Sequence, residues 1–385
     1  MSGCDSHDRT GSIHVKHQDR PAVINERNVD LFTKRSHIGR YTAASIASLL
    51  ALSLASCSER SSEPMDTATQ STASQSATSS EKQGQWPRTI ESLDGDGKKT
   101  EVTIEHQPER IVSTSVTLTG SLLAIDAPVK ATGTVNNRPP LANSQGFFTQ
   151  WADVADQRGV EPIYQGQPSV EAILAQKPDL VVMSSSGQDS AIDLYNQLAG
   201  TVPTLVVDYS RQGWEDTARA LGKATGHESG AEDAIHRYDE RVKEVKESIT
   251  KPEQPVNIVS LAKNNGGLNF WTKNSAQGRV LTDLGFDVAQ PPENLVDTTS
   301  QYAKRKDARP VSAENSALAL TGRSIFALNA DGKTKPSEAM AQNPQLATVP
   351  AVKDGHVYDL APEDFRIDYY SAMNMLDEIK NFFAK

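Results

Sequence analysis

Cysteine is nearly absent from this chain, two in 385 residues. Two thiols make neither a Cys-rich zinc module nor a disulfide framework, so packing must hold the fold together. An excess of positive charge is missing as well: 39 Lys and Arg stand against 49 Asp and Glu, a formal net charge of −10. That balance argues against a protein that coats nucleic acid or anionic membrane, because either surface would repel it. Histidine is scarce beyond Cys57, where only His106, His227, His236 and His356 occur, scattered and outside any His-rich loop, which disfavours a zinc carrier. No Gly-rich phosphate loop or nucleophile elbow appears. Ser260-Leu261-Ala262-Lys263 matches the Ser-x-x-Lys pattern of β-lactamases and penicillin-binding proteins. That chemistry needs the serine at a helix start with the lysine one turn on, whereas Ser260 ends a predicted strand and Asn264-Asn265-Gly266-Gly267 follows.

A membrane-length apolar run is also lacking, and what stands in its place is informative. Residues 1–29 are polar and without periodicity, and read as unstructured. A basic stretch from Lys34 to Arg40 then precedes residues 41–55, an uncharged run rich in Ala, Leu and Ser. Positive flank, apolar core and small residues, in that order, make an export signal, too short for the roughly 20 residues of a comfortable span. It closes on Leu54-Ala55-Ser56-Cys57, which resembles the bacterial lipobox and makes Cys57 the expected lipidation site. Residues 58–86 are dominated by Ser, Thr, Gln and Glu and cannot bury enough surface to offset their ordering entropy, so they are expected to form a disordered tether. Without residues 1–57 the charge sharpens to −12, from 32 basic and 44 acidic side chains.

From Pro87 the pattern alternates short β-rich runs with helical stretches, the signature of α/β layers. Residues 89–105 read as a hairpin around Asp94-Gly95-Asp96-Gly97, whose Asp-x-Asp lacks the later ligands of a calcium loop. Strands are predicted at 110–113, 129–133, 180–183 and 204–207, with helices at about 118–125 and 169–176. The second half repeats the order, with strands at 256–260 and 324–328 and helices at 275–284 and 312–320. In both halves a serine at a helix start is followed two positions on by a glutamate, Ser169 with Glu171 and Ser312 with Glu314. Between the halves, Ala231, Ala234, Ile235, Tyr238, Val242, Val245 and Ile249 mark one face of a helix over 228–249. The expected fold is therefore α/β: two similar lobes with central sheets flanked by helices, joined by one long interlobe helix. The expected segments are 1–57 leader and signal peptide, 58–86 tether, 87–213 first lobe, 214–252 interlobe helical segment and 253–385 second lobe.

Three segments carry a resemblance. The first is 108–128, opening Pro108-Glu109-Arg110-Ile111-Val112-Ser113 and closing Ala124-Ile125-Asp126-Ala127-Pro128. The others are Phe270-Trp271-Thr272 with Ser275-Ala276-Gln277-Gly278, and Phe365-Arg366-Ile367-Asp368-Tyr369-Tyr370-Ser371. Together they resemble the ferric enterobactin periplasmic binding proteins, within the cobalamin and siderophore class of solute-binding proteins that feed ABC importers.

The resemblance implies a ferric catecholate siderophore as ligand, an ABC permease as partner, no cofactor and no catalysis. A monomer that binds no nucleic acid is expected, and the lipobox followed by a long polar tether suits a protein held by a lipid anchor on the outer face of the cytoplasmic membrane. A bulky aromatic trianion calls for guanidinium donors and aromatic walls. Arg138, Trp271 and Arg366 carry over as ligand-binding positions, expected in loops beyond the carboxyl ends of strands. Lys304 and Arg305, in the densest basic cluster after Cys57, are candidates to add positive potential. Bland alternatives stay open: Arg138 solvated, Trp271 in the core, Arg366 paired with Asp364 or Asp368, the basic cluster a solvated face. Glu171 and Glu314 correspond to the glutamates that dock the permease, or else serve only their helix starts. A rival reading is bare ferric iron held by Tyr369 and Tyr370.

Overall fold

The computed structural model describes residues 84–136, 139–262, 266–300, 302–303, 305–329 and 332–385. The expected signal peptide, Cys57, most of the tether, Arg138 and Lys304 lie outside the described residues.

A hairpin opens the described chain, β1 (Arg88–Leu93) pairing antiparallel with β2 (Lys99–Ile104). Its turn is an Asx arrangement in which the Asp94 carboxylate accepts from the amides of Asp96 and Lys98, both at 2.9 Å. The first sheet follows, with β3 (Ile111–Ser113), β4 (Val129–Thr134), β5 (Glu161–Gln165), β6 (Leu180–Ser184) and β7 (Thr204–Val207). Its order is β5-β4-β3-β6-β7 and every pairing is parallel. Helices α1 (Val116–Ala124), α2 (Ala152–Gln157), α3 (Val170–Ala175) and α4 (Tyr195–Leu198) supply the crossovers. β3 and β6 are buried at every position, as expected for parallel strands covered on both faces. α1 begins two residues before its predicted start because Ser115 caps it, the hydroxyl oxygen accepting from the Leu118 amide at 3.2 Å.

Two helices lead out of this lobe, α5 (Trp214–Thr225) and the long α6 (Glu228–Ser248). Ala231, Ala234, Ile235, Tyr238 and Val245 form the buried face of α6, the face read from the sequence. At 1.5 Å per residue the helix is about 32 Å long. Its first turn lies against the first lobe, where a Cβ on Gly230 would collide with the Ile125 carbonyl. Further along, the Tyr238 hydroxyl donates to Asp283 of the second lobe at 2.9 Å. Gly230→Ala is expected to cost roughly 1–3 kcal/mol by overpacking this junction, read as a lower urea midpoint.

The second sheet is built from β8 (Val256–Leu261), β9 (Leu268–Trp271), β10 (Ala308–Val311), β11 (Ser324–Leu328) and β12 (Val357–Asp359), in the order β10-β9-β8-β11-β12. β8, β11 and β12 are parallel; β9 and β10 run antiparallel to their neighbours. α7 (Ala276–Asp283), α8 (Ala313–Ala319), α9 (Pro336–Gln342) and α10 (Pro350–Lys353) flank it. The chain ends in α11 (Tyr369–Phe383), opened by a capping box between Asp368 and Ser371. The architecture is thus the predicted α/β pair of lobes with flanked central sheets and a long helix between them. α11 belongs to the second half by sequence yet packs on α1 and α6 as well as α7. One buried cluster consequently runs from Ile111 and Leu122 through Trp214 and Tyr238 to Phe326 and Leu376.

Candidate functional site

A cleft of about 1300 Å³ opens between the two lobes. Gly187 beyond β6, Tyr209 beyond β7, Ala262 beyond β8 and Asn329 beyond β11 all line it. This is the carboxyl edge of the parallel strands, where open α/β sheets hold ligands. The volume exceeds the roughly 300–1,000 Å³ of ordinary small-molecule pockets, so the cleft suits a bulky guest.

Arg366 follows a single 3₁₀ turn, Pro362–Phe365, and reaches from the second lobe across to the first. The sequence suggests Asp364 or Asp368 as its carboxylate partner; the structure pairs it with Asp189 instead. Its Nη1 donates to Thr117 Oγ1 at 3.1 Å and to Asp189 Oδ1 at 3.4 Å. Asp368 is unavailable because its carboxylate accepts from the Ser371 amide at 3.0 Å, and Asp364 is turned into the core beside Glu378. The guanidinium carbon also lies 5.8 Å from the Phe148 ring centroid. Burial opposes the charge on Asp189, but Arg366, the Ser115 hydroxyl, the Thr117 amide and the Tyr209 phenol together hold its pKa below the ordinary carboxyl value.

Trp271 is the last residue of β9, a correction to its expected place in a loop. It is both core and wall. Only 4% of it is exposed and Phe365 meets it edge-on at 5.6 Å, yet it lines the cleft and its Nε1 has no hydrogen-bond partner. Arg305 lies over this ring at 6.0 Å and 5.8 Å from Tyr302, a cation on two aromatic faces. Asp307 forks onto Arg305, with Nε to Oδ1 at 2.8 Å and Nη2 to Oδ2 at 2.5 Å. Arg305 is therefore held against the cleft wall by Asp307, with 40% of its side chain still exposed.

Sequence reasoning missed Arg279, which lines the cleft from the first turn of α7. Its neighbour is Glu215, whose pKa burial raises while Arg279 pulls it down. The only local signal was a basic residue four positions after the Ser275 cap. Lys306 also lines the cleft, and the counter-charges there are Asp208, Asp297 and Asp307.

Glu171 and Glu314 lie outside this set, both exposed in the first turns of α3 and α8. Their surroundings differ. Ser169 caps α3, accepting from the Ala172 amide at 3.1 Å and donating to Glu171 at 3.0 Å, whereas Ser312 makes no side-chain cap bond. Glu171's own backbone amide and the Ser169 hydroxyl hold its pKa below the usual value.

Tyr369 and Tyr370 do not line the cleft. The Tyr369 hydroxyl accepts from Arg237 at 3.1 Å and its ring packs 5.6 Å from Trp214, while burial pushes the Tyr370 phenol up to about 12. Among the described residues no group of three or more His, Cys, Asp or Glu is arranged to hold a metal ion. Ser260 stands in β8, and Lys263 lies outside the described residues.

A family model of periplasmic binding proteins matches residues 111–363. The chain is 46% identical over 300 residues to the ferric enterobactin-binding periplasmic protein FepB of Escherichia coli, covering 77% of this chain and 91% of that one. It is 24% identical to the probable siderophore-binding lipoprotein YfiY of Bacillus subtilis, over 81% of this chain and 92% of the relative. Among solved structures, holo-ViuP superposes with a TM-score of 0.68 at 32% identity, over 78% of this chain and 96% of that one.

Proposed function

The chain belongs to the periplasmic binding protein family, and from that premise we propose that it captures a ferric catecholate siderophore and delivers it to an ABC permease. The observation that carries this reading is the cleft wall, where Arg279, Arg305, Lys306 and Arg366 stand among Tyr209, Trp214, Trp271 and Tyr302. A ferric tris-catecholate is a trianion with flat aromatic faces. Guanidinium groups remain charged and fork onto its oxygens, and the indole and phenol rings cover its faces. The likeness to the ferric enterobactin-binding protein supports the same ligand class. The acidic balance of the chain then describes the outside of the molecule, against which the cleft gathers cations.

In this reading Cys57 carries the lipid and residues 58–86 tether the lobes outside the cytoplasmic membrane, in keeping with a lipoprotein among the relatives. Glu171 and Glu314 offer one carboxylate per lobe to basic residues of the permease. No step of this function makes or breaks a covalent bond in the ligand.

The test is a ligand panel read by tryptophan fluorescence, since Trp214 and Trp271 both line the cleft. Ferric enterobactin is expected to quench strongly and saturably, and ferric ion alone, haem and cobalamin to quench little. Equal response to bare iron would replace the siderophore reading with a metal-binding one, and turnover of an ester or β-lactam probe would make the chain an enzyme.

A further inference from the structure

Asp189 presents a puzzle for a cleft that takes an anion. Its side chain is only 7% exposed, its pKa is held below the ordinary carboxyl value, and it pairs with Arg366, which lines the cleft and is expected to meet the ligand. Four donors converge on it. Ser115 Oγ and the Thr117 amide give to Oδ2 at 2.6 and 3.0 Å, and the Tyr209 hydroxyl and Arg366 Nη1 give to Oδ1 at 2.8 and 3.4 Å. The loop is shaped for this. Gly187, at φ +83°, leaves room for the Tyr209 hydroxyl where any side chain would collide, and the Ser190 hydroxyl ties the loop back to the Ser184 carbonyl at 2.9 Å.

We infer that Asp189 is a positioning residue that orients the Arg366 guanidinium toward an anionic ligand, an inference that rests on the ligand class proposed above. The three first-lobe donors fix the carboxylate independently of Arg366, so it is a rigid anchor rather than half of a mobile ion pair. Among the described residues the guanidinium's hydrogen bonds all run through Nη1, to Asp189 and Thr117, which leaves Nη2 and Nε to fork onto catecholate oxygens. The Phe148 ring, 5.8 Å from the guanidinium carbon, adds a cation–π contact to the same group. An arginine already ordered loses less rotamer freedom on binding than one free in the cleft. The carboxylate also repels the ligand, so positioning and simple Coulomb repulsion predict opposite signs when its charge is removed.

The test is ferric enterobactin affinity, by tryptophan quenching, for the wild type, Asp189→Asn, Arg366→Ala and the double variant, with the ligand-free melting curve of each. Positioning predicts a loss of about 5-fold or more for Asp189→Asn when Arg366 is present, and little further loss when Arg366 is already alanine, a coupling that double-variant cycles isolate. Unchanged or tighter binding by Asp189→Asn would make the carboxylate only a like charge near the ligand and overturn the inference; equal loss in both backgrounds would make it a structural group and do the same. Should Asp189→Asn fail to fold, Asp189→Glu decides. It keeps the negative charge and displaces the carboxylate from Arg366, so it should weaken binding in the Arg366 background alone, and no loss there overturns the inference. Failure of the wild type to bind ferric enterobactin sinks the ligand class and this inference together, whereas tight wild-type binding with uncoupled variants sinks this inference alone.

Discussion

A chain carrying Glu171→Ala and Glu314→Ala together is expected to bind ferric enterobactin as the wild type does and to support no uptake of it. Neither carboxylate lines the cleft and both are exposed, so the substitutions leave the binding wall intact. The helices should also survive. Alanine is the strongest helix former, and Ser169 still caps α3 through the Ala172 amide. What the double variant removes is one negative charge from each lobe, at matching helix starts. A permease that clamps both lobes through basic residues loses both points of attachment, and each single variant should retain part of the uptake. Ligand affinity by fluorescence and growth on ferric enterobactin as the iron source measure the two halves of this prediction. Normal growth of the double variant would reduce the glutamates to helix-start electrostatics, and lost affinity would mean that they support the fold of the cleft.

The parts of this fold that were legible in the sequence are those whose pattern is local. α6 could be read because seven apolar residues keep helical spacing over 228–249, and the buried parallel strands because β6, β8 and β11 are short runs bounded by turn signals. β5 escaped because it contains Pro162 and is half-exposed at a sheet edge, so it shows no apolar run. β9 escaped for a different reason. Its four residues lie close behind β8 and run antiparallel to it, against the βαβ rhythm of the rest. Arg366 shows most clearly what sequence adjacency hides. Asp364 and Asp368 are near neighbours in the chain, but one is turned into the core and the other caps α11. The partner that remains is 177 residues away, in a serine-rich loop with no motif. Arg279 likewise became visible only once α7 was set against the cleft.

The other large effect is expected in the turn that precedes Arg366, where Asp364→Asn should stabilise the ligand-free protein at pH 8 by about 1–3 kcal/mol, the cost of leaving a buried polar group without a partner. Asp364 is fully buried and, if ionised, finds no donor for either oxygen. Burial first, then the proximity of Glu378, raises its pKa well above the ordinary value, and burial raises Glu378 as well. With a proton on Asp364 the pair closes, Asp364 donating to Glu378 while Glu378 also accepts from the Ala361 amide at 3.2 Å. Burial also lifts Asp368 to about 6. For all three groups the folded state holds its proton to higher pH than the unfolded chain, where carboxyls titrate near about 4. Their contribution is therefore fully present below that value and lost as pH rises through the folded pKa values. Asp189 and Glu244, whose pKa values are lowered, work in the opposite sense and lose their contribution as pH falls below about 4. Stability should then peak at mildly acidic pH and decline toward pH 8. The side-chain amide introduced by Asp364→Asn donates to Glu378 without needing a proton, so the variant should lose less between pH 5 and pH 8 than the wild type. Urea midpoints at the two pH values test this, and a variant less stable than the wild type at pH 8 would refute it. The outcome bears on the cleft, because the Asp364 carbonyl accepts from Gln277 at 2.7 Å and so ties the turn that presents Phe365 and Arg366 to α7.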